Sequence, residues 1–304
     1  MTAGAQLSDP FEDVDLPRLE KSIYTPRAAF SAGMSLLTGL MTFFAMLPLV
    51  SVLAMLIYRG GKRFSWELFT GSPPPPLSVG GGFGNAILGT IVMVGIAALI
   101  SIPFGVFAAL FLAETSPRSR TATAVRFCAK LLTGFPSILA GVFAYGAIVL
   151  STGTYSAPAG GVALAVLMLP TIILTAEEAI RMVPAKMREA AIGMGCTTAQ
   201  LSFRVLLPSA IPGILTGVML AVARAAGETA PLIFTALFSK YWLIENGQVD
   251  LMQGTASLAV LIFNFSGSPD DNQIELAWSA SLVLVMIVLV LNLVGQAISR
   301  RAIK

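Results

Sequence analysis

Six long apolar runs dominate this chain, and they leave it few places to fold. They cover about Phe30–Ile57, Asn85–Ala113, Leu131–Leu150, Gly160–Ala176, Ser209–Phe238 and Leu276–Ile298. Roughly 20 apolar residues in a helix cross the hydrocarbon core of a bilayer. Inside lipid each backbone N–H and C=O needs a partner within the protein, and a helix supplies one for every residue. Hydrophobic residues make up 56% of the 304-residue chain and charged residues 12%. Soluble domains carry about 25% charged residues, so a soluble reading of this length is set aside. The expected class is an all-α integral membrane protein with six transmembrane helices. The fourth run is the shortest and contains Pro170. Its helix is predicted to continue into Glu177–Arg181, where Glu177 and Arg181 lie one turn apart.

Charge orients the spans. With both ends in the cytoplasm, the inner segments hold fourteen Lys and Arg, against four outside (Arg59, Lys62, Arg63, Lys240). That asymmetry follows the positive-inside rule. Arg224 is the remaining cation and falls within a span. The resulting order is a cytoplasmic tail at 1–29, a first span at 30–57 and an outer loop at 58–84. A core at 85–298 follows, with an inner loop at 177–208, and then a cytoplasmic tail at 299–304. The first thirty residues open with acidic side chains and lack a short apolar core before a cleavage site, so they do not read as a cleavable signal. The net charge of +3 gives no reason to expect nucleic acid. Trp66, Trp242 and Trp278 fall near outer boundaries, as interfacial anchors do. Pro73–Pro76 reads as a stiff extended spacer. The two cysteines, Cys128 and Cys196, lie near inner regions and are expected as free thiols.

Two charged islands interrupt the apolar background. The first is Glu189-Ala190-Ala191-Ile192-Gly193-Met194-Gly195, running on to Arg204-Val205-Leu206-Leu207-Pro208. Helix-compatible pieces at about Ala185–Ile192 and Thr198–Leu206 flank Gly193 and Gly195, where a tight turn calls for positive φ. Thr197 or Thr198 can cap the second piece. Ala190 and Ala191 offer a smooth face to a cleft, and Glu189 offers a charge. The second island is Arg224-Ala225-Ala226-Gly227-Glu228-Thr229-Ala230-Pro231-Leu232. On one continuous helix Arg224 and Glu228 share a face. Burying one such charge costs about 2.5–3.5 kcal/mol on insertion scales, and a pair lowers that cost. Two readings stay open: a self-neutralised pair that ties helices together, or an anion site carrying its own counter-charge. An Arg fork suits phosphate-like oxygens through two parallel hydrogen bonds. Pro136 is expected to kink the third span, and Ser137 can bond a freed carbonyl or face a path.

The first island resembles the EAA loop of ABC-importer permeases, in which a Gly four residues after EAA and a downstream Leu-Pro recur. Val205 stands where Ile is commoner. The second island resembles the R-x-x-G-E-T-A-P-L signature of PstA-type phosphate-importer permeases. Gly81-Gly82-Phe83-Gly84-Asn85-Ala86-Ile87-Leu88-Gly89-Thr90 and Phe135-Pro136-Ser137-Ile138-Leu139-Ala140-Gly141-Val142-Phe143 resemble two further stretches of that family. The four pieces run in family order from about residue 80 to 240.

The resemblance implies the type I ABC importer (MetI-like) permease fold. It implies a phosphate path that we expect to be lined by Arg224, Glu228, Thr229 and Ser137. It implies a loop that docks on an ATPase through Glu189, Ala190, Ala191 and Gly195. The partners so implied are a second permease (PstC type), two ATPase subunits (PstB type) and an external phosphate-binding protein (PstS type). The last would meet the outer loops near Ser151–Ala159 and Ser239–Glu275. A sulfate or molybdate permease is the alternative within transporters, and a non-transport membrane assembly protein lies further off. No G-x-x-x-x-G-K-[ST] phosphate loop occurs in the chain, so ATP use falls to other subunits. There is no His, and no grouping of a nucleophile with a base is evident. No enzyme activity, cofactor or metal is expected.

Overall fold

A computed structural model describes residues 26–114, 119–245 and 248–301. Most of the acidic N-terminal tail and the last three residues of the C-terminal tail lie outside the described residues. The chain divides into two compact units, residues 1–54 and 55–304. The described part of the first unit is a stretch of α1 (Pro26–Gly61), a helix that continues four residues past the expected end of the first span. This stretch is apolar on every side, the pattern of a helix solvated by lipid. Two of its hydroxyls are satisfied locally: Thr38 and Thr42 donate to the carbonyls of Met34 and Thr38.

Among its described residues the second unit holds the end of α1, a one-turn helix at Glu67–Thr70 and nine longer helices. The nine are α2 (Gly84–Glu114), α3 (Arg120–Thr133), α4 (Ser137–Thr152), α5 (Ala157–Arg181) and α6 (Ala185–Gly193). Then come α7 (Thr198–Ala226), α8 (Ala230–Thr235), α9 (Leu258–Ser266) and α10 (Asp271–Arg301). A two-stranded antiparallel hairpin pairs Ile244 with Val249. Among the long helices α5 is the most deeply buried. Its Leu164, Met168, Ile172 and Ala176 are sealed against Met93 and Ala97 of α2 and Val218 and Ala221 of α7. Small residues at these contacts let the backbones approach closely, the main source of helix association where lipid is as apolar as the side chains.

Two expected spans are broken. The third does not run continuously from Leu131 to Leu150. α3 and α4 meet at a bend of 105° across Gly134–Pro136. Proline has no N–H to give and its ring collides with the preceding turn, so the helix restarts at Ser137. α3 carries Arg120, Arg126 and Lys130, which suit the membrane surface better than its interior. The fifth span does not reach Phe238. α7 stops at Ala226, Gly227 follows, and Pro231 lies in the first turn of the short α8. A π turn at Ser202–Leu206 within α7 loosens the ladder just ahead of Pro208, where a donor is lost. Five helices among the described residues are long and apolar enough to cross a membrane, and α3 with α4 makes a sixth if the bent pair is one span.

The segments expected on the outer side are more ordered than loops. Within Ser239–Glu275 lies α9, whose Leu258 and Leu261 are fully buried. Ser257 caps it by accepting from the N–H of Val260, and the N–H of Leu258 donates to Thr90 of α2. At nine residues, or about 14 Å, α9 is too short to cross a membrane. Thr255–Leu261 of this segment is therefore core, while Lys240, Tyr241 and residues 248–250 are exposed. Pro73 and Pro74 are also buried, and Gln273 donates to the Pro74 carbonyl. The first half of the proline run thus packs into the protein, while Pro75 and Pro76 are exposed. Arg59 sits over the Trp278 ring at 5.3 Å, and the Trp242 indole donates to Ser72.

Candidate functional site

The inner loop is shaped by hydrogen bonds that its own sequence provides. α6 ends in a left-handed cap in which Gly195 has φ 82°. The N–H of Cys196 donates to the Ala191 carbonyl at 3.1 Å, and that of Gly195 to Ile192 at 2.9 Å. This pair of bonds is the Schellman closure, which satisfies the last carbonyls of a helix and places glycine at the left-handed position. The spacing from Ala191 to Gly195 is the spacing that the closure requires. Thr197 and Gln200 then form a reciprocal capping box at the start of α7, with bonds of 3.3 and 3.0 Å.

Glu189 and Ala190 are exposed on this helix, as is Gly195. Ala191 is 1% exposed and faces the core, so it anchors the loop instead of contributing to a smooth outer face. The exposed apolar groups are ones that the sequence reading passed over: Met187, Ile192 and Met194. Flexible thioethers adapt well to a partner's groove. Their signal in the sequence was large apolar side chains within an otherwise charged inner loop.

Behind α6 lies an ionic cluster of which the sequence offered only the Glu177–Arg181 pair. Arg126 Nε of α3 meets Glu177 Oε1 at 2.7 Å, and Arg181 Nη2 meets the same oxygen at 2.9 Å. Arg188 of α6 reaches Glu114 of α2 at 3.4 Å.

The second island lies at the break between α7 and α8. Arg224 occupies the last turn of α7, while Glu228 lies beyond the helix end. They therefore do not share a helix face. They still meet, with Nε and Oε1 3.5 Å apart, and the Arg224 side chain is 47% exposed against 17% for Glu228. The contact is long and single, so most of the guanidinium's donors remain free to take another acceptor. Thr229 precedes α8 and accepts the N–H of Leu232 and Ile233 at its carbonyl. Ser137 opens α4 and is half-buried. α4 packs directly on α8: a side chain at Gly141 would lie 2.6 Å from Pro231 Cα. Two broken helices thus abut, one opening at Ser137 and the other just after Glu228 and Thr229. Neither cysteine is in a disulfide.

Residues 101–304 match the family model for the binding-protein-dependent transport system inner membrane component. Among curated proteins, the phosphate transport system permease protein PstA of Xylella fastidiosa is 38% identical over 280 residues, covering 92% of this chain and 96% of that one. The probable phosphate transport system permease protein PstA of Methanocaldococcus jannaschii is 35% identical over 260 residues, covering 83% and 88%. Among solved structures, a chain of the inward-facing MetNI methionine ABC transporter aligns with TM-score 0.58 at 22% identity, covering 71% of this chain and 94% of that one. A chain of a bacterial alginate ABC transporter aligns with TM-score 0.62 at 16% identity, covering 93% and 98%. At such identities the structural matches speak for the fold alone, which is that of an ABC importer permease. The chain belongs to the binding-protein-dependent transport system inner membrane component family, and within it is of the PstA type.

Proposed function

We propose that this chain is one of two permease subunits of an ATP-driven importer of inorganic phosphate. The observation that carries this reading is the 38% identity to a phosphate transport permease across almost the full length of both chains. A permease of this kind works with a partner permease, ATPase subunits and a binding protein. The finer assignment is a PstC-type permease, two PstB-type ATPases and a PstS-type phosphate-binding protein. The setting is the bacterial inner membrane with both termini cytoplasmic. The tails at 1–29 and 299–304 and the 177–208 loop then face the ATPases, and the 58–84 segment faces outward.

In this reading Arg224 attracts the anion, and Glu228 balances Arg224 when the path is empty. Hydrogen phosphate can donate its proton to a carboxylate, whereas sulfate has none to give. A carboxylate beside the anion thereby favours phosphate. Ser137 and Thr229 each border one of the two abutting breaks and contribute hydroxyls to the path. Glu189, Ala190 and Gly195 form the ATPase-facing surface, with Ala191 holding it to the bundle. Closure of the ATPase pair on α6 shifts the population between outward- and inward-open states. Uptake of radiolabelled phosphate and sulfate in cells with and without the gene tests this. Phosphate uptake that needs the gene is expected; sulfate uptake alone would move the assignment to another oxyanion.

A further inference from the structure

Glu177 opens the 177–208 segment but is buried, so it belongs neither to the proposed path nor to the exposed residues proposed to meet the ATPase, yet four helices converge on its cluster. Its side chain is 8% exposed, near the inner end of α5. Arg126 and Arg181 both hold it, and both guanidinium groups also donate to the Leu112 carbonyl near the end of α2, at 2.8 and 3.3 Å. Helix C-termini carry partial negative charge, so the two cations suit that end. Arg188 closes the cluster from α6. It pairs with Glu114, the last residue of α2, and donates to the Ile180 carbonyl of α5 at 3.1 Å. Three guanidinium groups and two carboxylates thereby join α2, α3, α5 and α6.

Capping one helix end needs a single cation or water. Glu177 is almost wholly withdrawn from water and Arg126 and Glu114 are largely so, while Arg181 stays 42% exposed. Such withdrawal is costly, and buried ion pairs are weak stabilisers whose best-attested use is to fix one arrangement. The arrangement fixed here is α3 against the corner between α5 and α6. α3 leads through the Gly134–Pro136 bend into α4, and α4 packs at Gly141 on Pro231, three residues past Glu228. We propose that Glu177 is a positioning residue for transport. It latches α3 to the coupling corner, so that displacement of α6 also swings α3 and turns α4 about the bend. Without the latch, α6 still pushes on α5 and α7, joined to it by the chain, and on α2 through Arg188 and Glu114, but the ionic hold on α3 is gone. The latch rests on the transport reading above.

The test is the number of ATP molecules hydrolysed per phosphate imported by the purified complex in proteoliposomes. Glu177→Gln keeps the shape and removes the charge. Arg126→Lys keeps the charge and loses the simultaneous hold on Glu177 and Leu112. Each variant is expected to raise the ratio about fivefold or more, the low end of measured couplings between sites. The two together should raise it no further than the worse single change. A merely structural Glu177 would lower hydrolysis and uptake together at a constant ratio, and that result overturns the latch. So does a wild-type ratio in both variants while the wild-type complex imports phosphate. Wild-type complex that imports no phosphate overturns the transport reading, and the latch with it. If Glu177→Gln does not assemble, Arg126→Lys decides alone by the same ratio.

Discussion

Arg224 is an unusual cation for a membrane helix, because its nearest carboxylate leaves most of its donors unused. Arg224→Gln leaves Glu228 unpaired and removes the charge that draws the anion. We expect it to abolish phosphate uptake while the protein still reaches the membrane with its partners. Arg224→Lys keeps the charge but not the fork, so partial uptake is the most it should support. The measurement is uptake normalised to assembled complex; a wild-type rate in Arg224→Gln makes the pair structural. Gly195 poses a different constraint. At φ 82° any L side chain is strained by about 1–2 kcal/mol. Gly195→Asp should therefore insert normally, lose uptake and retain less ATPase in a detergent pull-down. Normal recovery of the ATPase with normal uptake would refute that role.

Among the elements, the inner loop was legible in the sequence and, beyond the Glu177–Arg181 pair, the cluster behind it was not. The loop closes through local bonds, so a glycine and a threonine at fixed spacing announce it. Arg126 and Glu177 are 51 residues apart, and no spacing rule brings them together. The breaks after α3 and α7 were half legible. Pro136 and Pro231 mark the places, but how sharply the chain turns depends on what it packs against. α9 was read as loop because nine apolar residues fall short of a span. Its burial depends on contacts with α2 and α10 that no local pattern encodes. Two outcomes follow at this scale. Gly141→Val forces α4 off the Pro231 backbone, and overpacking of this kind costs about 1–3 kcal/mol. The purified permease should melt earlier, and an unchanged melting curve with normal uptake would remove the α4–α8 contact from the account. Met194→Glu puts a charge on the exposed apolar edge of α6. It should weaken ATPase retention without altering membrane insertion, and full retention would locate docking elsewhere.

For the whole molecule, the cation asymmetry fixes an expected topology. A cysteine introduced at Pro75 or Gly267 should react with an impermeant reagent added to intact cells, and one at Thr121 or Ala185 should not. All four positions are exposed, so protection reports the side of the membrane and not burial. Labelling of Ala185 from outside would invert the arrangement. The closure at Gly195 also bears on how the molecule is made. The longest backbone bond of the turn joins Cys196 to Ala191, so it can form as soon as those residues are free of the ribosome. Short loops close in about 10–100 ns, whereas synthesis adds only about 5–20 residues per second. The arginines and carboxylates around Glu177 have also all been translated by residue 188. In the proposed reading, the ionic cluster and the Gly195 turn of the end that receives force have thus been synthesised while the residues from Arg224 onward are still to come. A chain stalled at that stage would present the proposed handle before the proposed path exists.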